Sequence, residues 1–340
     1  MASLIKLINR LQTEADAYKF LEEQRWPDGV PPACPHCGGN EKPPVFLKPA
    51  DGTDGRKTRT GSVSQRRVWK CKTKGCRKQF SVLTNTPMHG TKIPVRVWVL
   101  VTFEMCSSKN GVSAREIERK YDLSPKSAWF LLHRIREGMS NPEPPFWTDT
   151  EVVADETFIG PKVGRMNSKR RKEFEAEHGT PRQRGGAAHM TPVMTLINRE
   201  TGESCSKVLN DVGGANIRKV LESVADLPNV DLSTDGGSGY RHTGPQARSH
   251  VAVDHKSGEY VRDGRGSNQV ESFFSKLKRS IDGTHHNVSR VHLQRYLNEF
   301  SFRHNTHQMT DADRIATYYS QLNGKRLTYK PVAGQQQLAS

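Results

Sequence analysis

Long apolar segments are missing from this sequence of 340 residues. Its best apolar run, residues 97–103, falls far short of the roughly 18 apolar residues that a membrane-spanning helix requires. The first 26 residues are amphipathic and include acids, which is not the composition of a signal peptide. We therefore expect a soluble, cytoplasmic protein without a membrane segment.

Acidic residues are too few to balance the basic ones. The sequence has 36 Asp and Glu against 52 Lys and Arg, which gives a net charge of +16 and an isoelectric point of about 9.7. Residues 46–80 alone hold eleven Lys and Arg against two acids. A positive potential of this size concentrates DNA or RNA at the surface, which predicts a nucleic-acid partner. The alternative is a solvated basic surface without a specific partner.

Cysteines are also scarce, and four of the six lie in two close pairs. Cys34-Pro-His-Cys37 and Cys71-Lys-Thr-Lys-Gly-Cys76 offer four thiolates, a set that suits one tetrahedral Zn²⁺ ion. Trp69 and Phe80 flank the second pair and would supply the hydrophobic support of a small zinc ribbon. A redox CxxC motif or chance pairing are the alternatives.

Residues 111–136 have the pattern of two helices joined by a tight turn. Ser113 lies three residues before Glu116, as in a capping box, and Ser124 precedes a proline, as at a helix start. In a helix-turn-helix the second helix would present Lys126, Ser127 and Arg134 to a DNA groove. A helical hairpin that serves only for packing is the alternative.

Three acidic residues lie within or next to predicted strands and helices in the part of the chain after residue 145. Asp155 lies in the middle of the apolar strand predicted over 151–159, where an unpaired charge is costly to bury. A divalent cation would remove that cost. Asp235 ends a short predicted strand and is followed by two glycines, and Glu271 lies near the start of a predicted helix.

The spacing around Glu271 adds to this pattern. Asn268 lies three residues before Glu271 and Lys278 seven residues after it, so all three fall on one helical face. Thirty-five residues separate Asp235 from Glu271 (271 − 235 − 1). Two Asp, a gap of this length and then Glu with Lys seven positions later form a specific constellation, which favours a functional site over isolated surface acids.

The order of elements after residue 145 predicts the fold class. Strands are expected over 151–159, 190–198, 203–209, 230–234 and 250–254, with helices over 216–225, 268–281 and 291–305. This order suits an α/β fold in which a mixed sheet is flanked by helices, the RNase H-like arrangement. We predict such a core, preceded by the zinc ribbon and the helix-turn-helix-like region.

These motifs resemble the DDE transposases of bacterial insertion sequences, and most closely the ISXO-type group, the insertion-sequence family numbered fifteen ninety-five. The resemblance runs from about Tyr18 to Asn305. Its most specific phrases are Asp155-Glu-Thr-Phe-Ile-Gly160, Ser233-Thr-Asp235-Gly, Asn268-Gln-Val-Glu271-Ser-Phe-Phe-Ser-Lys-Leu-Lys278-Arg and Gly283-Thr-His-His-Asn-Val-Ser289.

The resemblance implies that Asp155 and Asp235 are the first two catalytic acids. The family is often described with Asn at the third position, which maps to Asn268, whereas the 35-residue spacing points to Glu271. Because a carboxylate binds a metal ion more strongly than an amide does, we expect Glu271 to be the third ligand with Asn268 assisting. Lys278 is expected to contact a phosphate.

The resemblance also implies the activity, the cofactors and the partners. We expect an enzyme that cuts and rejoins DNA, with two Mg²⁺ (or Mn²⁺) ions at the carboxylates and one structural Zn²⁺ ion at the four cysteines. Its partners would be double-stranded DNA, as terminal inverted repeats and as target, and further copies of the chain in a homodimer or larger assembly. In a bacterial cell it would associate with the nucleoid.

Five segments are expected along the chain. They are an N-terminal helical segment (1–29), the zinc ribbon (30–90), the helix-turn-helix-like region (91–145), the catalytic domain (146–310) and a C-terminal tail (311–340). The basic stretch 162–184 would be an insertion between the first two strands. Two alternatives remain at this point: an RNase H-like nuclease or resolvase without strand transfer, and a domesticated DNA-binding derivative.

Overall fold

The computed structural model describes residues 3–48, 56–57, 61, 63–141, 143, 145–160, 163, 166–178, 190–254, 257–259 and 261–329. The chain divides into two compact units, one formed by Met1–Ser140 with Thr306–Ser340 and the other by Asn141–Asn305. Three predicted features fall partly or wholly outside the described residues: prolines 142 and 144 at the end of the helix-turn-helix-like region, much of the basic stretch 162–184, and the end of the tail after residue 329.

Helices dominate the first unit. They are α1 (Leu4–Arg10), α2 (Glu14–Arg25), α3 (Val95–Ser107), α4 (Ala114–Tyr121) and α5 (Pro125–Gly138). Apolar side chains lie all around α3, from Val95 through Trp98 to Met105, and most are buried, so this helix forms the centre of the unit.

The two helices predicted over 111–136 are confirmed as α4 and α5. The Ser113 hydroxyl accepts a hydrogen bond from the Glu116 amide at 3.1 Å, and the Ser124 hydroxyl accepts one from the Ser127 amide at 3.2 Å. Pro125 is the first residue of α5. Each hydroxyl satisfies an amide that the helix cannot pair internally, which is why both helices begin where the sequence predicts.

Short strands lie between α2 and α3. They are β1 (Val45–Phe46), β2 (Arg56–Lys57), β3 (Val63–Ser64), β4 (Trp69–Lys70) and β5 (Gln79–Phe80). β4 pairs antiparallel with both β1 and β5, and β2 pairs antiparallel with β3. Such short strands cannot form a stable sheet alone, so the metal cluster described below is expected to hold them.

The predicted C-terminal tail contains a buried helix. This helix is α10 (Asp311–Ser320). The helices numbered between α5 and α10 belong to the second unit and are described below. Its Ile315, Tyr318 and Tyr319 are buried, and it packs on α2 and α3. Ile315, Tyr318 and Tyr319 recur at intervals of three and four residues, which is a helical signal in the sequence.

A five-stranded mixed sheet forms the centre of the second unit. Its strands are β6 (Glu151–Ile159), β7 (Thr191–Asn198), β8 (Ser204–Val208), β9 (Asp231–Thr234) and β10 (Ser249–Ala252), in the order β10-β9-β6-β7-β8. β7 is antiparallel to β6 and β8, whereas β9 is parallel to β6 and β10.

Helices cover both faces of this sheet. On one face α7 (Gly214–Glu222) packs against Val152, Ala154 and Leu232. On the other face α8 (Asn268–Ser280) and α9 (Arg290–Asn305) pack against Val153 and Val193. The predicted α/β class with a zinc ribbon and an RNase H-like core is confirmed. Within 162–184 the described residues include a further helix, α6 (Ser168–His178).

The apolar positions of α8 explain its placement. Val270, Phe273, Phe274 and Leu277 recur at intervals of three and four residues and are all buried against the sheet. Among the described residues, no helix has the length and hydropathy needed to cross a bilayer.

Candidate metal centres

Four thiols converge in the first unit. Cys71 follows β4 and Cys76 precedes β5, while Cys34 and Cys37 come from the loop after α2. The Gly38 amide donates a hydrogen bond to the Cys34 carbonyl at 2.8 Å. Gly38 has a φ of 69°, a conformation that favours glycine and lets the loop turn around the thiols.

The spacing of these thiols fits one zinc ion. All four Sγ atoms lie within 4.8 Å of one another, with Cys34 to Cys76 at 3.9 Å and Cys37 to Cys71 at 3.8 Å. A tetrahedral Zn²⁺ ion with Zn–S bonds of about 2.3 Å places its sulfur ligands roughly 3.8 Å apart. The His36 and Thr73 amides point at Cys34 and Cys71 at 3.5 and 3.4 Å, which would stabilise thiolates.

Aromatic side chains support the thiol cluster. Trp69 and Phe80 pack with Cys34 and Cys71, as the sequence predicts. Trp26 also packs there, with its ring perpendicular to that of Trp69 at 5.9 Å. The sequence pattern gives no signal for Trp26, because it lies outside both cysteine pairs and away from them in the chain.

Buried Glu22 ties the ribbon to α2. Its carboxylate accepts hydrogen bonds from the Trp69 indole at 2.8 Å and from the Arg67 guanidinium at 2.6 Å. Burial raises the pKa of Glu22, and these two donors oppose that rise. The described part of the first unit thus carries a rigid thiol cluster on a strongly basic segment.

Carboxylates converge in the second unit. β6 and β9 run parallel, with Val153 opposite Ser233, so the same register places Asp155 beside Asp235 just after β9 ends. The Asp235 carboxylate accepts a hydrogen bond from the Gly237 amide at 3.0 Å. Single ligand oxygens of Asp155, Glu156 and Asp235 lie within 4.8 Å of one another.

These carboxylates destabilise one another when they are ionised. Burial and the nearby charge of Asp235 raise the pKa of Asp155 to about 8, with further contributions from Glu156 and Glu271. Burial also raises the pKa of Glu156 to about 7, although a hydrogen bond from Tyr240 opposes this. Grouped acids with raised pKa values are what a site for divalent cations requires, because a bound cation restores their ionised form.

The remaining predicted site residues lie on α8. Asn268 is its first residue and is exposed, Glu271 is half-buried, and Lys278 is exposed two turns further along. The charge of Glu271 acts on Asp155, but the Glu271 carboxylate is outside the group of three that lies within 4.8 Å. The structure therefore brings Asp155 and Asp235 together, whereas Glu271 does not join the group that lies within 4.8 Å.

Arg265 fixes the segment that leads into α8. Its guanidinium donates to the Ser233 hydroxyl at 3.1 Å, the Leu232 carbonyl at 2.8 Å and the Ser249 hydroxyl at 2.7 Å. It also lies 3.3 Å from the Glu151 carboxylate. These bonds attach the chain just before Asn268 and Glu271 to β9 and β10. The sequence analysis missed this residue, since nothing in the pattern distinguishes it from the other arginines.

The predicted DNA-facing residues of α5 differ in exposure. Lys126 is exposed and Ser127 is half-buried. The prediction for Arg134 is wrong: this side chain is buried, donates to the His89 carbonyl at 2.7 Å and lies over the Trp98 ring at 4.9 Å. At this position the helix faces the interior of the unit, and the guanidinium serves packing rather than a DNA groove.

Comparison with known proteins supports both centres. Residues 149–305 match the family model of the ISXO2-like transposase domain, and residues 12–79 match that of the transposase zinc-ribbon domain. No curated protein matches the chain.

Among solved structures, one similar chain belongs to the cryo-EM structure of the simian T-cell lymphotropic virus intasome in complex with PP2A regulatory subunit B56 gamma. It has 12% sequence identity and a TM-score of 0.28, and the match covers 58% of this chain and 66% of that one. A TM-score this low has no bearing on either centre.

Proposed function

The chain belongs to the ISXO2-like transposases through its catalytic and zinc-ribbon domains, and from that premise we propose that it cuts the ends of its own DNA element and joins them to target DNA. Its substrates would be double-stranded terminal inverted repeats and a target duplex. The observation that carries this proposal is the convergence of Asp155 and Asp235 from parallel neighbouring strands.

The residues have separate roles in this proposal. Asp155 would take part in holding both metal ions, while Asp235 and Glu271 would each help to hold one of them, with Asn268 assisting Glu271. Two bound Mg²⁺ (or Mn²⁺) ions would supply the Lewis acidity for phosphodiester hydrolysis and transesterification. The support is the donor set, since carboxylate and amide oxygens are the ligands that Mg²⁺ prefers.

The basic residues bind the DNA strands. Exposed Lys278 would contact a phosphate near the cut, two turns from Glu271 on α8. Hydrolysis would free a 3′-hydroxyl at the element end. This hydroxyl would then attack a phosphodiester of the target duplex at the same carboxylates and displace the 3′ oxygen of the target strand, which leaves with a proton as a new 3′-hydroxyl. The zinc ribbon and α4–α5 would bind the terminal repeats, with the ribbon supplying phosphate contacts.

Two further expectations belong to this proposal. Both ends of an element must be cut together, so we infer a homodimer or a larger assembly on DNA. The protein would act in the cytoplasm of a bacterial cell, at the nucleoid. We also propose five segments along the chain, with the bounds 1–29, 30–90, 91–145, 146–310 and 311–340.

The test uses the purified chain, labelled terminal repeats, a target plasmid and Mg²⁺. Inverted repeats in the DNA that flanks the coding sequence supply the substrate. We expect cleaved ends and joined products. Asp155→Asn and Asp235→Asn should lower both by at least about 100-fold while DNA binding is retained. Glu222→Gln, which alters an exposed acid paired with Arg218, is the matched control.

The outcomes separate the proposal from its rivals. Cleavage without joined products would favour a nuclease or resolvase. Specific binding of the repeats without cleavage would favour a domesticated DNA-binding protein. Activity that survives in Asp155→Asn would refute the assignment of the site.

A further inference from the structure

Glu156 is a third carboxylate at the site, although its position in β6 gives no reason to expect it there. Successive side chains of a strand point to opposite faces of the sheet. Val153 packs on the α8 face and Ala154 on the α7 face, so Asp155 belongs to the α8 face and Glu156 to the α7 face. One oxygen of Glu156 nevertheless lies within 4.8 Å of oxygens from both Asp155 and Asp235.

The end of β9 explains this approach. β9 pairs with β6 only over Glu151–Val153 and ends at Thr234. The chain then turns away at Gly236, whose φ is 76°. Within the part of the chain that the structure describes, β6 therefore has no neighbouring strand on that side at residues 155 and 156, and side chains from both faces can meet around this free edge.

Tyr240 holds the Glu156 carboxylate in place. The Tyr240 hydroxyl donates a hydrogen bond to Glu156 Oε1. The ring is 1% exposed and packs in the same apolar cluster as Ile217 and Leu221. With the ring fixed by packing, the hydroxyl has a defined direction, and the carboxylate that accepts from it is fixed as well.

One loop connects this tyrosine to Asp235. The Gly237 amide donates to the Asp235 carboxylate at 3.0 Å, and the Gly237 carbonyl accepts from the Tyr240 amide at 3.1 Å. The loop that presents Asp235 therefore also presents the donor for Glu156. The single loop from Asp235 to Tyr240 therefore positions two carboxylates from separate strands, which favours a role at the site for both.

The spacing of the three oxygens suits one ion. In an octahedral site with Mg–O bonds of about 2.1 Å, ligand oxygens lie roughly 3.0 to 4.2 Å apart. The observed limit of 4.8 Å requires only small side-chain movements to reach that range. Glu271 lies outside this group, on α8, which leaves it for the second ion.

We propose that Glu156 is a ligand of the ion held by Asp155 and Asp235, and that Tyr240 is the positioning residue that orients it. The proposal rests on the metal site of the proposed function. One ion would then bind three carboxylates at the free edge of β6, and the other would lie between Asp155 and Glu271. Glu156 lies on the α7 face and would thereby contribute to a metal site that residues of the α8 face otherwise form.

The test measures Mn²⁺ binding to the full-length, zinc-loaded chain by isothermal titration calorimetry, without DNA. We expect Glu156→Gln to weaken the tighter Mn²⁺ site at least about tenfold, and Tyr240→Phe to weaken it roughly tenfold. Glu222→Gln should bind Mn²⁺ like the wild type. In cleavage assays, the Mg²⁺ concentration for half-maximal rate should rise in both variants.

The variants separate this inference from the proposed function. If Asp155→Asn abolishes Mn²⁺ binding and Glu156→Gln binds with wild-type affinity, the role of Glu156 is refuted and the transposase site stands. If Asp155→Asn itself still binds Mn²⁺ normally, the metal site of the proposed function fails.

If Glu156→Gln does not fold, Tyr240→Phe tests the proposed role of Glu156 instead. This change keeps the ring and removes only the donor, so circular dichroism should show a wild-type fold. A purely structural role would lower the melting temperature and leave the Mn²⁺ affinity unchanged, which would overturn the inference.

Discussion

At the scale of single residues, Asp155 makes the stability of the second unit depend on pH. Burial and the charge of Asp235 raise its pKa from 3.8 to about 8. A fold that raises the pKa of a carboxyl favours its protonated form. That contribution to stability is complete below pH 3.8 and is lost as the pH rises through about 8.

We therefore expect the metal-free second unit to lose stability between about pH 4 and pH 8. One pKa unit corresponds to about 1.4 kcal/mol, so the loss should reach a few kcal/mol. Urea unfolding followed by hydrogen–deuterium exchange of peptides from 151–159 measures it. Asp155→Asn should flatten the profile and added Mg²⁺ should restore stability at pH 8. An equally steep profile in Asp155→Asn would contradict the prediction.

Single residues also show what could be predicted from the sequence. Asp155 and Asp235 were identified because acids are conspicuous within or at the end of apolar strands. Glu156 was missed because strand alternation assigns it to the opposite face, and only the early end of β9 brings it to the site. Arg134 was misassigned because the side of α5 that faces the core depends on tertiary packing.

At the scale of elements, we expect the zinc ribbon to depend on a bound metal ion for folding. Its strands have two residues each, too few to persist without the thiol cluster. We expect Cys71→Ser to lose its zinc, to loosen the packing of Trp69, and to weaken DNA binding at least about tenfold. Zinc released by thiol modification and measured with a colorimetric chelator gives the stoichiometry.

A matched control exists for this change. Cys106 is also buried, but it lies in α3 and outside the thiol cluster. Cys106→Ser should retain one zinc ion per chain. Normal zinc content in Cys71→Ser, or equal losses in both variants, would show that the four cysteines do not form the binding site.

The last described residue lies against the helix predicted to bind DNA. The Tyr329 ring lies 4.4 Å from the Lys126 amino group and packs edge-on against Phe130 at 5.4 Å. A cation–π contact at an exposed site contributes about 0.5 to 1 kcal/mol. This contact would hold Lys126 away from phosphate.

We expect Tyr329→Ala to increase the affinity for terminal-repeat DNA roughly two- to fivefold and Lys126→Ala to decrease it. Fluorescence anisotropy with a labelled duplex measures both. Unchanged affinity in Tyr329→Ala would mean that the contact does not compete with DNA.

Elements were the best-predicted level of structure. The bounds predicted for β6 are those observed, and the other predicted strands and helices of the second unit differ by a few residues at most. Their apolar periodicity carries the information. The helix Asp311–Ser320 was not predicted, because the polar end of the chain was interpreted as a tail and its partners α2 and α3 both lie more than 200 residues away in sequence (311 − 25 = 286 and 311 − 107 = 204).

At the scale of the whole molecule, the positive charge should make the DNA affinity depend strongly on salt concentration. A chain of charge +16 that binds six or more phosphates should lose about 10³-fold in DNA affinity between 50 and 200 mM salt, because counterions are released on binding. Anisotropy titrations at four salt concentrations give the slope. Lys126→Ala should reduce that slope by about one. A loss of less than about tenfold would contradict a phosphate-dominated interface.

The C-terminal helix α10 belongs to the first unit, so the first unit can be completed only after the second unit has been synthesised. A ribosome that has translated the first 140 residues has not yet made Tyr318 and Tyr319, which pack on α2 and α3. The nascent chain must therefore leave the exit tunnel with those surfaces uncovered until the contiguous second unit has followed. A product that terminates soon after residue 305 would carry all of the acids proposed to bind metal and an unfinished first unit.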